Sequence, residues 1–149
     1  MRMTVAELRA CKAPVRYAGA GRAPRRRRAS PEHDAQVAVF AWAAFAVHRE
    51  PLLELLHAVP NGEKRDWKVA QRLKAEGVKA GMPDLHLPVP RGGYAGLYIE
   101  MKSGRNRPTE HQHRKIALLE AVGHRVTVQR CAEGAIAEIE WYLSLGARQ

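Results

Sequence analysis

The order of helix and strand patterns along the chain predicts an α/β fold in which a mixed four-stranded sheet is flanked by helices. Two observations predict it. Short apolar runs typical of strands alternate with stretches whose apolar residues recur at helical spacing, and a glycine-containing turn at 91–94 joins two strand patterns as a hairpin. A chain of 149 residues has the size of a single domain. We therefore expect one sheet and one core.

The first helix is expected to begin after the N-cap Ser30, with Pro31 at its first position, and to run to about Arg49. Apolar spacing predicts that its buried stripe consists of Val37, Phe40, Ala41, Ala44 and His48. The apolar run at 55–59 is predicted as the first strand, which is ended by Pro60, Asn61 and Gly62.

A second helix is predicted over 64–76, with Gly77 as its C-cap and three inward residues, Val69, Ala70 and Leu73. Its outer face carries five basic residues, Lys64, Arg65, Lys68, Arg72 and Lys74, which the acidic residues Glu63, Asp66 and Glu76 partly offset. That face is either an ordinary solvated surface or a DNA contact. DNA is favoured, because the segment 61–65 leads towards the charged residues near 84.

The remaining elements follow in order: a strand over 84–89, the turn at 91–94, a strand over 96–101, a helix capped by Thr109 and ended by Gly123, a strand over 125–129, and a last helix over about 132–143. The third helix has an apolar stripe of Ile116, Leu119 and Val122, and the last helix one of Ile136, Ile139 and Leu143.

Charged residues lie at the ends of two neighbouring strand patterns. Glu100 and Lys102 end the third strand and, because strand side chains alternate with period two, project from the same face. Asp84 begins the second strand, so hairpin pairing places it beside that face. Two carboxylates and one amine are the minimum equipment for metal-assisted phosphodiester hydrolysis. Alternating charges are also common on solvated strand faces, so this pattern is weak evidence by itself.

Five separated motifs strengthen the prediction. They are the segments 81–84 and 98–102, Gln112, a Glu-x-x-x-Gln that starts at Glu32, and the Pro-Asn-Gly at 60–62. In this arrangement the chain resembles the VRR-NUC branch of the PD-(D/E)XK nucleases, from about Ser30 to Leu143. The resemblance implies a restriction-endonuclease-like core and a nuclease domain over 30–146.

The same resemblance implies roles for single residues. Asp84 and Glu100 would be metal ligands, and Lys102 the catalytic lysine. The metal is expected to be Mg²⁺ or Mn²⁺, with the Met101 carbonyl as a further oxygen ligand.

Glu32 and Gln112 each allow a structural and a functional interpretation. Glu32 lies in the first turn of its helix, where a carboxylate complements the helix dipole, or it belongs to the active site. Gln112 matches a capping box with Thr109, or it contacts substrate or water.

Positive charge is concentrated in an N-terminal arm. Residues 1–31 hold nine basic side chains and one acidic side chain, whereas the remaining 118 residues hold 16 and 14. The arm, 1–29, lacks sustained periodicity and is expected to be disordered. Arg25, Arg26, Arg27 and Arg28 would bind phosphates without reading sequence. A solvated tail, or residues ahead of the native start, are the alternatives.

Further DNA contacts are expected from Arg105 and Arg107, in a loop beside the predicted metal site, and from Asn61, Lys64 and Arg65. The two cysteines, Cys11 and Cys131, are too far apart in sequence to indicate a disulfide framework or a zinc site, and no histidine pair has a convincing metal-ligand spacing. No apolar run approaches the length of a membrane span, and no signal peptide is apparent. A cytoplasmic protein is expected.

The leading hypothesis is a metal-dependent DNA endonuclease. The alternatives are a nucleic-acid-binding module without catalysis, in which the three charged residues form a surface ion-pair cluster, and a nuclease that acts on RNA or as a subunit of a larger complex. The family resemblance further implies a homodimer selective for branched DNA such as junctions or flaps, because a twofold pair of sites matches the symmetry of a junction.

Overall fold

The computed structural model describes residues 30–60 and 67–146, which contain four α-helices, one 3₁₀ helix and four strands. In chain order the elements are α1 (Pro31–Ala46), a 3₁₀ helix (Pro51–Leu55), β1 (His57–Ala58), α2 (Trp67–Ala75), β2 (Leu85–Leu87), β3 (Leu97–Met101), α3 (Glu110–Ala121), β4 (Arg125–Gln129) and α4 (Ala132–Ser144). The predicted arm with its four arginines, and Asn61, Lys64 and Arg65, lie outside the described residues.

The strands form one mixed sheet in the order β1-β2-β3-β4, which confirms the predicted α/β class. β1 and β2, like β2 and β3, pair antiparallel, whereas β3 and β4 pair parallel across the crossover helix α3. Consequently, the ends of β1, β3 and β4 and the beginning of β2 meet at one end of the sheet. We call it the carboxyl end.

The two faces of the sheet differ. α1 and α4 cover one face, where the fully buried core includes Val39, Leu97, Ile99 and Ile139. The buried Tyr142 hydroxyl donates a 2.7 Å hydrogen bond to the Val89 carbonyl and so ties α4 to the chain beyond β2. α3 lies on the opposite face, which carries the polar residues of β3.

The predicted turns are confirmed. Gly92 and Gly93 have φ of 52° and 88°, and Arg91 bridges Tyr94, as in a type I′ hairpin turn. Gly77, with φ of 92°, ends α2 in a Schellman motif, because the Val78 amide donates to the Leu73 carbonyl (2.9 Å) and the Gly77 amide to the Lys74 carbonyl (3.1 Å).

The first strand is shorter than predicted. Leu55 belongs to the 3₁₀ helix, and only His57–Ala58 form β1. Pro51 at the first helical position and the Glu50 carboxylate, which accepts from the Leu52 amide (3.3 Å), start that helix and so take residues 51–55 out of the extended conformation.

The predicted buried stripe of α1 is wrong except for the partly buried Phe40. Val37 is 53% exposed, and Ala41, Ala44 and His48 also face solvent. The buried residues are instead Val39 and Ala43, which face the core. Apolar residues surround this helix, so their spacing does not single out one inward face, and packing against α4 decides it.

α2 and the end of α3 are more exposed than their apolar patterns predict. No residue of α2 is buried, although Ala70 and Leu73 are partly buried, and Val69 is 37% exposed. Val122 is 69% exposed because it is the C-cap of α3 rather than part of the packed stripe. Within 30–60 and 67–146, no helix has both the length and the apolar character needed to cross a membrane.

Candidate active site

Strand β3 carries a buried ion pair at its carboxyl end. The Lys102 Nζ lies 2.8 Å from the Glu100 Oε1; the Glu100 side chain is 0% exposed and that of Lys102 is 11% exposed. Both project from the face opposite the apolar core, as period two predicts. A fully buried carboxylate is costly to desolvate unless it is paired, so its place in the sheet depends on its partners.

Asp84 is brought to the same place by the pairing of β2 with β3. Because Leu85 pairs with Ile99, the preceding Asp84 lies beside the end of β3. Its Oδ2 accepts a 2.8 Å hydrogen bond from the Met101 amide, between the two charged residues of β3. The Asp84 carbonyl accepts from the Val59 amide (2.8 Å), so the end of β1 is fixed there as well.

Gln112 joins the capping box and the site. Its Oε1 accepts from the Thr109 amide at 2.9 Å, while the Thr109 hydroxyl accepts from the Gln112 amide at 3.4 Å. The same side chain donates from Nε2 to the Glu100 Oε1. The two interpretations of Gln112 therefore hold together: it caps α3 and orients Glu100.

The chain before Asp84 requires a glycine at position 81. Its φ is 78°, and a Cβ added there would lie 3.0 Å from the backbone carbonyl atoms of His111. Only glycine combines this conformation with such a close approach. The segment before Asp84 can therefore pack against the first turn of α3, next to Gln112.

Glu32 connects α1 to the chain after Lys102. Its Oε1 accepts from the Ser103 amide (2.9 Å) and from the Ser103 hydroxyl (3.1 Å). The N-terminus of α1 is thereby anchored at the carboxyl end. Ser30 occupies the N-cap position, but its side chain makes no capping hydrogen bond.

Three carboxylates control the charge state of Lys102. Partial burial acts to lower the pKa of Lys102, but the hydrogen bond and charge of Glu100, with the charges of Glu32 and Asp84, raise it above the ordinary value. Lys102 is therefore protonated at neutral pH.

Arg130 was missed by the sequence analysis. Its Nη1 donates to the carbonyls of Gly104 (2.5 Å) and Asn106 (2.9 Å), which shapes the loop that carries the exposed Arg105 and Arg107. The signal was its position directly after β4, since the end of a strand parallel to β3 must lie beside the end of β3.

Histidines also gather on this face of the sheet, although their sequence spacing gave no indication of it. His86 stacks on Tyr98 with ring centroids 4.0 Å apart, and His57 and His124 lie edge-on to His86 at 5.1 and 6.0 Å. Burial, with the charges of His57 and His124, lowers the pKa of His86 to about 4. Tyr98, the residue of β3 on which this cluster packs, lies two positions before Glu100 on the same face of the strand.

The donor set at the carboxyl end is composed of oxygen. Among residues 30–60 and 67–146, no three histidine, cysteine, aspartate or glutamate side chains are arranged to hold a metal ion. Mg²⁺, however, is commonly bound by one or two carboxylates, with water and substrate phosphate completing the shell. Asp84 and Glu100, together with the Met101 carbonyl, match that composition, so the residues fit a hard divalent cation.

The structure thus brings together five of the predicted site residues, namely Asp84, Glu100, Lys102, Gln112 and Glu32. The model of the VRR-NUC domain family matches residues 21–133. A solved structure described as a VRR_NUC domain protein is similar at 30% sequence identity and a TM-score of 0.66, over 80% of this chain and 93% of that chain. No curated protein matches the chain. Since the family model covers well over half of the residues, the chain belongs to the VRR-NUC family and carries a nuclease-type domain.

Proposed function

We propose that this protein is a metal-dependent DNA endonuclease that hydrolyses phosphodiester bonds. The observation that carries the proposal is the Lys102–Glu100 pair, buried at the end of β3 with Asp84 hydrogen-bonded to the backbone between them. A fold does not need a buried carboxylate on the polar face of a sheet. Such a costly group is typical of a functional site.

Each side chain has a distinct task in this mechanism. Asp84, Glu100 and the Met101 carbonyl would hold Mg²⁺ or Mn²⁺. The bound cation would polarise the scissile phosphate and lower the pKa of a water nucleophile. Lys102, protonated at neutral pH, donates hydrogen bonds to the phosphate oxygens and stabilises the charge that develops on them.

Gln112 and Glu32 act through their neighbours. Gln112 fixes the carboxylate of Glu100, and it is itself held by the capping box of α3. Glu32 fixes the backbone at Ser103, directly after Lys102. Both therefore keep the charged groups in one geometry before substrate arrives, which is the condition for effective electrostatic stabilisation.

Two of the predicted DNA contacts lie in the described chain next to the carboxyl end, and the others are joined to it in sequence. Arg105 and Arg107 lie in the loop after Lys102. The arm with its four arginines is joined to Ser30, two residues before Glu32, and the segment with Asn61, Lys64 and Arg65 follows the end of β1. Phosphates bound by Arg105 or Arg107 would therefore be close to Asp84 and Glu100.

A second copy of the chain is the proposed partner, and branched DNA the proposed substrate. The outward face of α1 is apolar, with Val37 and Phe45 exposed to 53% and 75%. Beside it lies a groove of about 530 Å³, whose lining includes Trp42, Arg49 and Glu140. Opposite charges in one patch are self-complementary under a twofold axis, and exposed apolar patches of this kind mark interfaces. A twofold dimer would present two sites to a junction.

The activity is tested with purified protein and four DNA forms: a four-way junction, a flap, a splayed end and a plain duplex. We expect cleavage with Mg²⁺ or Mn²⁺, none with EDTA, and the fastest rate on the junction or the flap. Lys102→Ala should be inactive, whereas Lys115→Ala, which changes a lysine of α3 outside the contacts described above, should cut like the wild type. Absence of cleavage on all four forms, in the presence of binding, would favour the non-catalytic module instead.

The proposed dimer and the arm have separate tests. Light scattering should report a dimer, and Phe45→Ser should give a monomer; a wild-type monomer contradicts the dimer. Deleting residues 1–29 should weaken binding of every DNA sequence alike and make the dependence of log affinity on log salt shallower, because phosphate contacts are lost. An unchanged salt dependence would show that the arm does not bind.

A further inference from the structure

Trp67 is the most exposed of the three tryptophans. Its side chain, in the first turn of α2, is 67% exposed. By contrast, Trp42 is partly buried against the core, and Trp141, 44% exposed, lies under the Arg125 guanidinium at 5.1 Å. Exposing a large apolar ring to water is unfavourable. Neighbouring groups cover part of the ring in the other two tryptophans.

The surroundings of Trp67 are basic. A shallow groove along α2 is lined by the indole, by small or neutral residues and by three basic side chains, namely Trp67, Lys68, Ala70, Gln71, Arg72, Lys74 and Ala75. Among the described residues of α2 and the residue after it, the one acidic side chain is Glu76, which forms a 3.3 Å ion pair with Arg72. The groove is therefore cationic, and its aromatic ring is open to solvent.

Both ends of α2 lead to the candidate active site. Pro60, seven residues before the described start of α2, follows Val59, whose amide donates to the Asp84 carbonyl (2.8 Å). On the other side, the chain returns through Gly81, which packs against the first turn of α3, to Asp84. The chain after α2 is thus fixed at the carboxyl end of the sheet, beside Asp84.

We propose that α2 is a binding surface for unpaired nucleotides of the DNA substrate, with Trp67 stacking on a base and Arg72 and Lys74 contacting phosphates. An exposed aromatic ring in a basic groove is the combination that binds single strands, since every base offers a π-face and every nucleotide a phosphate. In a duplex, both faces of each internal base are already stacked, so the ring has no partner there.

The inference rests on the proposed nuclease function and narrows its substrate class. Flaps and splayed ends offer unpaired bases next to a duplex, whereas a fully paired four-way junction does not. Substrates with a single-stranded segment should therefore gain affinity from Trp67, and fully paired substrates should not.

The test measures binding in EDTA, so that cleavage does not enter. The probes are a fluorescein-labelled single-stranded oligonucleotide and a duplex of the same sequence, followed by fluorescence anisotropy. Trp67→Ala should weaken single-strand binding by about fivefold or more, the effect of losing one stacked base, and change duplex binding little. Trp67→Phe should retain part of the affinity because a ring remains. Trp141→Ala, in α4, is the matched control and should bind both probes like the wild type.

Intrinsic fluorescence gives an independent measurement. Single-stranded DNA should quench tryptophan emission of the wild type and of Trp141→Phe, and this quenching should be lost in Trp67→Phe. An equal loss of affinity for single strand and duplex in Trp67→Ala, or wild-type binding of both, overturns the inference. If the protein binds in this way but cleaves no DNA with any divalent cation, the nuclease proposal fails and the binding surface stands.

Discussion

The two faces of β3 are equally buried but are built by different rules. Leu97, Ile99 and Met101 point into the apolar core, where they need only shape and volume. Tyr98 and Glu100 point the other way, and each is held by a specific neighbour: the ring of His86 for Tyr98, and Gln112 with Lys102 for Glu100. One face stabilises the fold, and the other holds chemistry in place.

The difference shows how burial should be interpreted. An apolar side chain removed from water contributes about 1.5–3 kcal/mol to stability. A carboxylate removed from water loses several kcal/mol of hydration, which a good ion pair only offsets. We therefore expect a change of Ile99 to act mainly on stability, and a change of the adjacent Glu100 to act mainly on activity.

The largest expected effect is on activity, from Glu100→Gln. The amide has nearly the same shape, but it lacks the negative charge that a divalent cation requires. We expect cleavage to fall by about 10²–10³-fold or more in a protein that still folds, with some loss of unfolding free energy, measured with urea in EDTA, because Lys102 keeps its charge and loses its partner. Glu138→Gln is the control, because Glu138 forms a 2.8 Å pair with Arg125 outside the site. Near-wild-type cleavage by Glu100→Gln would contradict the assigned role.

The neighbouring change Ile99→Ala should act on stability and leave activity nearly unchanged. It leaves a cavity in the packed core, so we expect the free energy of unfolding to fall by about 2–5 kcal/mol. Cleavage per folded molecule, assayed well below the melting temperature, should remain near that of the wild type. The milder Ile99→Val should lose about 0.5–1.5 kcal/mol. A folded Ile99→Ala protein without activity would mean that the two faces are not independent.

Sequence patterns predicted the parts of the fold that depend on local chemistry. The type I′ turn at 91–94 and the glycine-ended helices at Gly77 and Gly123 follow from the backbone conformations that glycine permits. Alternation along β3 correctly separated Glu100 and Lys102 from the core. These features require no knowledge of distant residues, because the constraint acts within a few positions of the chain.

Features that depend on tertiary packing were missed. The predicted inward face of α1 was wrong because apolar residues lie all around that helix. Packing against α4 determines that Val39 and Ala43 are the buried residues. The two hydrogen bonds from Arg130 to the loop after Lys102 depend on β4 lying beside β3. Likewise, the three histidines meet only because β1, β2 and the residue before β4 converge around Tyr98 of β3. No spacing along the chain encodes such contacts.

A third change separates the two roles of Gln112, the residue that connects the helix cap to the polar face. Gln112→Glu can keep the capping box, in which glutamate serves as well as glutamine, but it places a carboxylate next to Glu100. We expect a clear loss of cleavage, together with a fall in unfolding free energy that arises from the two adjacent buried carboxylates and not from the cap. Gln112→Ala should lose about 1 kcal/mol of stability as well. Equal stability and equal activity in both variants would leave Gln112 without a measurable role.

The smallest expected effect concerns pH and the histidine cluster on the polar face. The folded protein lowers the pKa of His86 from 6.5 to about 4, mainly by burial. As the pH falls through this interval, the unfolded chain takes up a proton at His86 before the folded chain does, so stability decreases between about pH 6.5 and 4 and depends little on this group outside that window. In His86→Phe, which retains a ring to stack on Tyr98, the fall in melting temperature between pH 7 and 4.5 should be smaller by a few degrees. His113→Phe, an exposed position on α3, is the control and should melt at acidic pH much as the wild type does. A fall in melting temperature that is identical with and without His86 would show that the acid sensitivity arises elsewhere, in the carboxylates of the site rather than in the stacked ring beside them.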